Sequence, residues 1–178
     1  MPYRLAMFDF NGTLVDDMHV LYARTSSVFR KYKLKPPSLK AFRNAAPINK
    51  EWYHSQGLPD EVTDAELKEA FSATEDPIWD KSKLRQDALV VVNALRNKKI
   101  ITGIVSALNQ PLFEKRVEQM RIREHFDFLV GGRENKRIAF LEMLEEFQIP
   151  PQQAFYVGDT ASDVEEANLA GIISIAFT

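Results

Sequence analysis

Cysteine is missing altogether from this 178-residue chain, which excludes disulfides, thiolate metal sites and thiol catalysis. No apolar run reaches the roughly 18 residues of a membrane span. Nor does the N-terminus carry a basic region followed by a long apolar stretch. A surplus of either charge is lacking too: 23 Lys and Arg against 25 Asp and Glu leave a net charge of −2. So small an imbalance points away from nucleic acid and from an acidic tail. Internal repeats and low-complexity tracts are absent too. A soluble, cytoplasmic protein without nucleic-acid or membrane partners is the expectation, with oligomeric state open. What is present is a 45% apolar share, ample for a packed core. The length suits one α/β domain, or a core with a small insertion.

Charge is unevenly placed. Met18 to Lys50 holds eight basic residues (Arg24, Arg30, Lys31, Lys33, Lys35, Lys40, Arg43 and Lys50) and no acid, whereas Asp60 to Asp76 holds seven acids and one Lys. Solvated helix faces account for such runs. A positive patch drawing an anionic substrate or partner is the sharper reading.

The most informative stretch closes the first apolar run, at Asp9-Phe10-Asn11-Gly12-Thr13-Leu14-Val15. Tyr3 to Phe10 reads as a short buried strand that ends on a carboxylate and then turns through Asn-Gly. An acid at the tip of a core strand is costly to bury unpaired, so it should face a mouth, a metal or a partner. A second stretch of the same kind is Ala154-Phe155-Tyr156-Val157-Gly158-Asp159, followed by Thr160-Ala161-Ser162-Asp163. The two acids meet only if their strands lie side by side and parallel.

The rest of the chain supplies the other elements. Asp16 or Asp17 can cap a helix to about Tyr32, which Pro36-Pro37 ends. Ser38 and Pro47 flank a shorter helical piece, Lys50 to Ser55 forms another, and Asp64 starts a helix broken by Asp76-Pro77. No alternating strand pattern appears between residues 16 and 86, so this block reads as an all-helical insertion. Then come helix Leu84–Arg96, strand Ile100–Ser106, a helix from Pro111 to Met120 and strand Phe126–Val130. Helix Lys136–Phe147, strand 154–158, a helix from Ser162 with Ser162 and Glu165 spaced as a capping box, and strand Ile172–Phe177 complete the order. Strands separated by helices imply right-handed parallel crossovers and a Rossmann-like, doubly wound α/β sheet. Its core would span 1–15 and 87–178, with an all-helical insertion over 16–86 after strand one. Ligands bind such sheets at the carboxyl ends of the strands, where Asp9, Ser106 and Asp159 fall.

These segments resemble the haloacid dehalogenase superfamily, in the phosphoglycolate-phosphatase-like branch with a helical cap. The family's Asp-x-Asp-x-Thr stands here as Asp9-Phe10-Asn11-Gly12-Thr13, and its Gly-Asp-x-x-x-Asp as Gly158 to Asp163. A Ser or Thr ending a strand fits Ser106, and a basic residue opening a helix fits Lys136. One position departs from the pattern: the second Asp of the first motif is Asn11.

The resemblance implies a Mg²⁺-dependent phosphatase acting on a small phosphorylated metabolite. Asp9 would be the nucleophile, forming an aspartyl-phosphate. Asp9, the backbone carbonyl of Asn11 and Asp159 would hold the cation, with Asp163 in support. Asp163 also suits the first turn of a helix on dipole grounds alone. Ser106 would donate to the phosphoryl group, with Asn109 as a nearby competitor that could instead cap the helix at Pro111. Lys136 would neutralise developing charge and hold Asp9 ionised, with Arg133 as the other candidate. Asn cannot exchange a proton at neutral pH, so the general acid–base help of the usual Asp is lost. Such help is typically worth about 10²–10⁴-fold, or roughly 3–5 kcal/mol of barrier. His19, His54 or an Arg of the insertion are possible replacements, and Arg24, Arg43 and Lys50 possible contacts for an anionic substrate. The alternative is a catalytically weakened relative that binds a phosphorylated ligand or partner. Gly158-Asp159 argues against a carbon–halogen hydrolase, and no Lys is singled out for phosphonate chemistry.

Overall fold

Strand β1, Leu5–Phe8, is four apolar residues in a row, none more than 5% exposed. Such a run has no polar side to turn to water, so it demands cover on both faces. In the computed structural model, which describes residues 2–43, 49–72, 82–133 and 135–177, β1 is the central strand of a five-stranded sheet. Its parallel neighbours are β4 (Ile101–Val105) and β6 (Ala154–Gly158). β5 (Phe128–Val130) and β7 (Ile173–Ala176) lie outside them, giving the order β5-β4-β1-β6-β7. Phe8 registers with Ile104 on one side and Val157 on the other, so the tips of β1, β4 and β6 finish level.

Alternate residues of each strand serve opposite faces. Ala6, Phe8, Ile104 and Phe155 pack with Ala88 and Val92 of helix α5 (Ala88–Asn97) and with Phe113 and Val117 of α6 (Gln110–Gln119). Leu5, Met7, Val105 and Tyr156 pack with Ala139, Phe140, Met143 and Leu144 of α7 (Lys136–Glu146) and Ala167 of α8 (Ala161–Leu169). This is the Rossmann-like α/β architecture that the strand–helix alternation implies.

The chain divides into two compact units, Met1–Asp16 with Lys83–Thr178, and Asp17–Ser82. The second contains α1 (Met18–Lys31), α2 (Leu39–Arg43), α3 (Lys50–Ser55) and α4 (Asp64–Ser72). Val28, Phe29, Tyr53, Leu58, Val62, Leu67 and Ala70 form its own core, with Phe29 stacked on Tyr53 at 5.6 Å between ring centroids. Pro47 and Asp76-Pro77, expected to punctuate this region, lie outside the described residues.

Several local expectations are corrected. The block from 16 to 86 is not helical to its ends: Val15–Asp16 (β2) and Lys83–Leu84 (β3) pair as an antiparallel ribbon. Leu84 therefore faces Val15 in a strand, and the next helix begins at Ala88 rather than at Leu84. Two-residue strands carry too little alternation to register in a sequence. Asp17 does stand at the N-cap of α1, but its side chain makes no capping hydrogen bond. The capping box of α8 is formed by Thr160 and Asp163 rather than by Ser162 and Glu165, because β6 ends two residues before the helix cap.

Candidate active site

Asp9 follows the last residue of β1, and its amide still pairs with the Val157 carbonyl at 2.8 Å. The chain then closes a tight loop in which the amides of Leu14 and Val15 return to the Phe10 carbonyl at 3.1 and 2.9 Å. Gly12 makes this possible. Its φ of +77° is left-handed, and a Cβ there would lie 2.1 Å from Oδ2 of Asp159. The loop after β1 thus abuts the acid after β6, and Thr13 donates to Oδ1 of Asp159 at 3.3 Å. Arg85, which the sequence reading passed over, donates to the Gly12 carbonyl at 2.8 Å and lies 4.6 Å from the Phe177 ring.

Lys136 opens α7 and turns its side chain inward. Its Nζ donates to Oδ1 of Asp9 at 2.8 Å, to Oδ1 of Asp163 at 2.6 Å and to the Tyr156 hydroxyl at 2.9 Å. Arg133 is engaged elsewhere, in an ion pair with Glu142 at 2.8 Å. Both oxygens of Asp163 are used: Oδ1 takes Lys136, while Oδ2 accepts from the Thr160 amide at 3.0 Å and its hydroxyl at 2.7 Å. Gly158 permits this approach, since a Cβ there would lie 2.5 Å from that of Asp163.

Ser106 is buried just past β4, with its amide on the Val130 carbonyl at 2.9 Å. Its hydroxyl accepts from the Leu108 amide at 3.1 Å, which leaves its proton to donate. Asn109 is exposed at the N-cap of α6 and makes no side-chain capping bond. Asn11 is half-buried in the loop between Asp9 and Thr13.

Carboxylate oxygens of Asp9, Asp159 and Asp163 all lie within 4.8 Å of one another. One ammonium against three carboxylates leaves the cluster short of positive charge. Burial dominates at Asp9 and pushes its pKa up to about 7, with Lys136 pulling down and Asp163 and Asp159 pushing up. Asp159 opens outward, yet partial desolvation of its carboxyl and the charge of Asp163 raise its pKa. At Asp163 burial is outweighed by Lys136 and the Thr160 hydrogen bonds, which hold its pKa below the usual value. Burial acts to lower the Lys136 pKa, but Asp9 and Asp163 outweigh it and keep the ammonium charged. Three closely spaced carboxylates, two of them (Asp9 and Asp159) with an elevated pKa, offer only oxygen donors and fit a hard divalent cation such as Mg²⁺.

Among the basic and His candidates of the helical unit, Arg24 is turned inward: its Nε donates to the Phe71 carbonyl at 3.0 Å and its guanidinium lies 4.0 Å from the Phe71 ring. Lys50 lines a cleft of about 330 Å³ with Leu21, Thr25, Tyr53, Leu67 and Phe71. His54 places Nδ1 3.0 Å from the Leu58 carbonyl, and His19 is exposed. The Arg43 side chain is outside the described part.

Three acids and a lysine thus gather at the carboxyl ends of the strands of a doubly wound α/β sheet. The family model for haloacid dehalogenase-like hydrolases matches residues 6–177, and the chain belongs to that family. It is 25% identical over 189 aligned positions to a phosphoglycolate phosphatase of Pseudomonas fluorescens, covering 98% of this chain and 69% of the relative. A phosphoglycolate phosphatase of Chromobacterium violaceum is 27% identical, at 95% and 82% coverage. In fold, it matches a haloacid dehalogenase-like family hydrolase from Streptococcus pneumoniae with a TM-score of 0.80 at 19% identity, over 99% of this chain and 85% of the other.

Proposed function

We propose that the protein is a Mg²⁺-dependent phosphatase that hydrolyses a small phosphorylated metabolite through an aspartyl-phosphate on Asp9. The observation that carries this reading is the set of three carboxylates within 4.8 Å of one another, with the Lys136 ammonium 2.8 Å from Asp9. Asp9, the Asn11 main-chain carbonyl and Asp159 would hold the cation. Asp163, both of whose oxygens are engaged, would support it indirectly. Bound there, Mg²⁺ supplies charge neutralisation between a carboxylate and a phosphate that otherwise repel.

The protein's own groups account for the rest. An Asp9 oxygen forms the new O–P bond while the ester O–P bond breaks and the electron pair leaves with the alcohol oxygen. Lys136 pulls the Asp9 pKa down against the burial that raises it, and its charge stabilises the phosphoryl oxygens. Ser106 retains a proton to donate to one of them. Water then cleaves the aspartyl-phosphate, restoring Asp9 and releasing phosphate. Neither step finds a proton carrier at Asn11, so good leaving groups are favoured and turnover is slow. The helical unit 17–82 serves as the cap that selects the substrate.

Asn11 also supports the rival reading, a relative that binds a phosphorylated ligand without turning it over. A panel of phosphate esters with Mg²⁺ separates the two. Multiple turnover that Asp9→Asn abolishes, and that Asn11→Asp raises by about 10²–10⁴-fold, supports the enzyme. No turnover in the native chain, with activity appearing only in Asn11→Asp, supports the binding protein.

A further inference from the structure

Tyr156 has no part in the scheme above, yet its hydroxyl joins several parts of the site. It sits in β6 beside Met7 of β1, 1% exposed, on the sheet face that α7 covers. From there the hydroxyl lies 3.2 Å from the carbonyl of Val105, the last residue of β4. Since β1 runs between β4 and β6, the phenol crosses the strand that carries Asp9. The same oxygen lies 2.9 Å from Nζ of Lys136 and 3.2 Å from Oδ1 of Asp163.

An ammonium has three N–H donors. Those of Lys136 have three acceptors, Asp9, Asp163 and Tyr156, so none is left over. With the two carboxylates alone, the shorter contact to Asp163 at 2.6 Å would compete with that to Asp9 at 2.8 Å for the direction of the ammonium. A third acceptor, the Tyr156 hydroxyl at 2.9 Å, adds a further constraint on that direction. It must be neutral, because a further carboxylate would add charge to a cluster that already holds three. Burial, then the charges of Asp9 and Asp163, raise the phenol pKa well above its ordinary value, so the group stays a hydroxyl.

We propose that Tyr156 is a positioning residue, whose hydroxyl fixes the Lys136 ammonium against Asp9 while charge builds on the phosphoryl group. This rests on Lys136 serving Asp9 in the proposed reaction. Tyr156→Phe removes one oxygen and keeps the ring that packs 4.5 Å from Phe140. It should lower kcat by about 10–100-fold and leave KM within about twofold. Once Lys136 is replaced by Met, adding Tyr156→Phe should change kcat by less than about twofold, because nothing remains to position. Phe140→Leu, which disturbs packing but spares the hydroxyl, should lower Tm without that kcat loss. Full activity in Tyr156→Phe, or an equal loss with and without Lys136, overturns the proposal.

A native chain with no turnover sinks the phosphatase reading instead, and a second measurement then decides. The Lys136 ammonium protons, assigned by their loss in Lys136→Met, should give a slowly exchanging NMR signal. Exchange should quicken by about 10-fold or more in Tyr156→Phe. Lack of a protected signal in the native chain, or unchanged exchange in the variant, overturns it equally.

Discussion

Replacing Asp9, the proposed nucleophile, with Asn should stabilise the metal-free protein at alkaline pH. Burial lifts the carboxyl from 3.8 to about 7 in the folded state. The folded value is the higher, so ionisation is harder in the native state than in the unfolded one. The contribution of Asp9 to stability is therefore fully present below about pH 4 and drains away as pH rises through about 7. A gap of about 3 units at about 1.4 kcal/mol each amounts to about 4 kcal/mol. Asn resembles the protonated carboxyl and still offers Lys136 an acceptor, so it avoids that loss. Urea unfolding without metal should show Asp9→Asn and native chain equal near pH 4, and the variant ahead by about 4 kcal/mol near pH 8. Saturating Mg²⁺ should erase most of the difference, because it binds the ionised native carboxylate. A variant less stable than the native chain near pH 8, or a difference independent of pH, would refute the reasoning.

Three further outcomes follow from the same geometry. Apparent Mg²⁺ affinity, measured by calorimetry, should fall about tenfold per pH unit below about 7, since the cation and a proton compete for Asp9. Gly12→Ala should cost about 1–3 kcal/mol through its left-handed backbone. It should also weaken Mg²⁺ binding, because the added methyl displaces Asp159; unchanged metal affinity would show that the loop yields freely. Thr160→Ala removes the N-cap hydroxyl of α8 and should cost about 1 kcal/mol by chemical denaturation.

Strand tips were the legible part of this chain. The apolar runs that end at Asp9 and Asp159 are short, β-prone and separated by helices, and a parallel sheet then brings their ends together. Covered faces explain why β1 and β6 read so clearly: every residue must be apolar or carry a reason not to be. The capping box was misassigned because Ser162-x-x-Glu165 and Thr160-x-x-Asp163 have the same spacing, and only the strand's end decides between them. Leu84 carries no period-two signal in a two-residue strand. Arg24 looked like a surface cation in an unbroken basic run, but the cation–π and carbonyl contacts of its guanidinium lie with Phe71, distant in sequence. The polar role of Tyr156 did leave a trace. A tyrosine buried mid-strand must find a partner for its hydroxyl. Which partner it finds depends on α7, whose placement over the sheet is a tertiary fact.

Covalent capture at Asp9 tests the account most directly. The protein is mixed with a reactive phosphate ester and Mg²⁺, quenched in acid within a single turnover, and its peptides are mapped by mass spectrometry. A phosphate adduct on the peptide holding Asp9, lost in Asp9→Asn and longer-lived in the native chain than in Asn11→Asp, is the expected result. Turnover with no adduct at Asp9 in either form, or an adduct that survives Asp9→Asn, would contradict it.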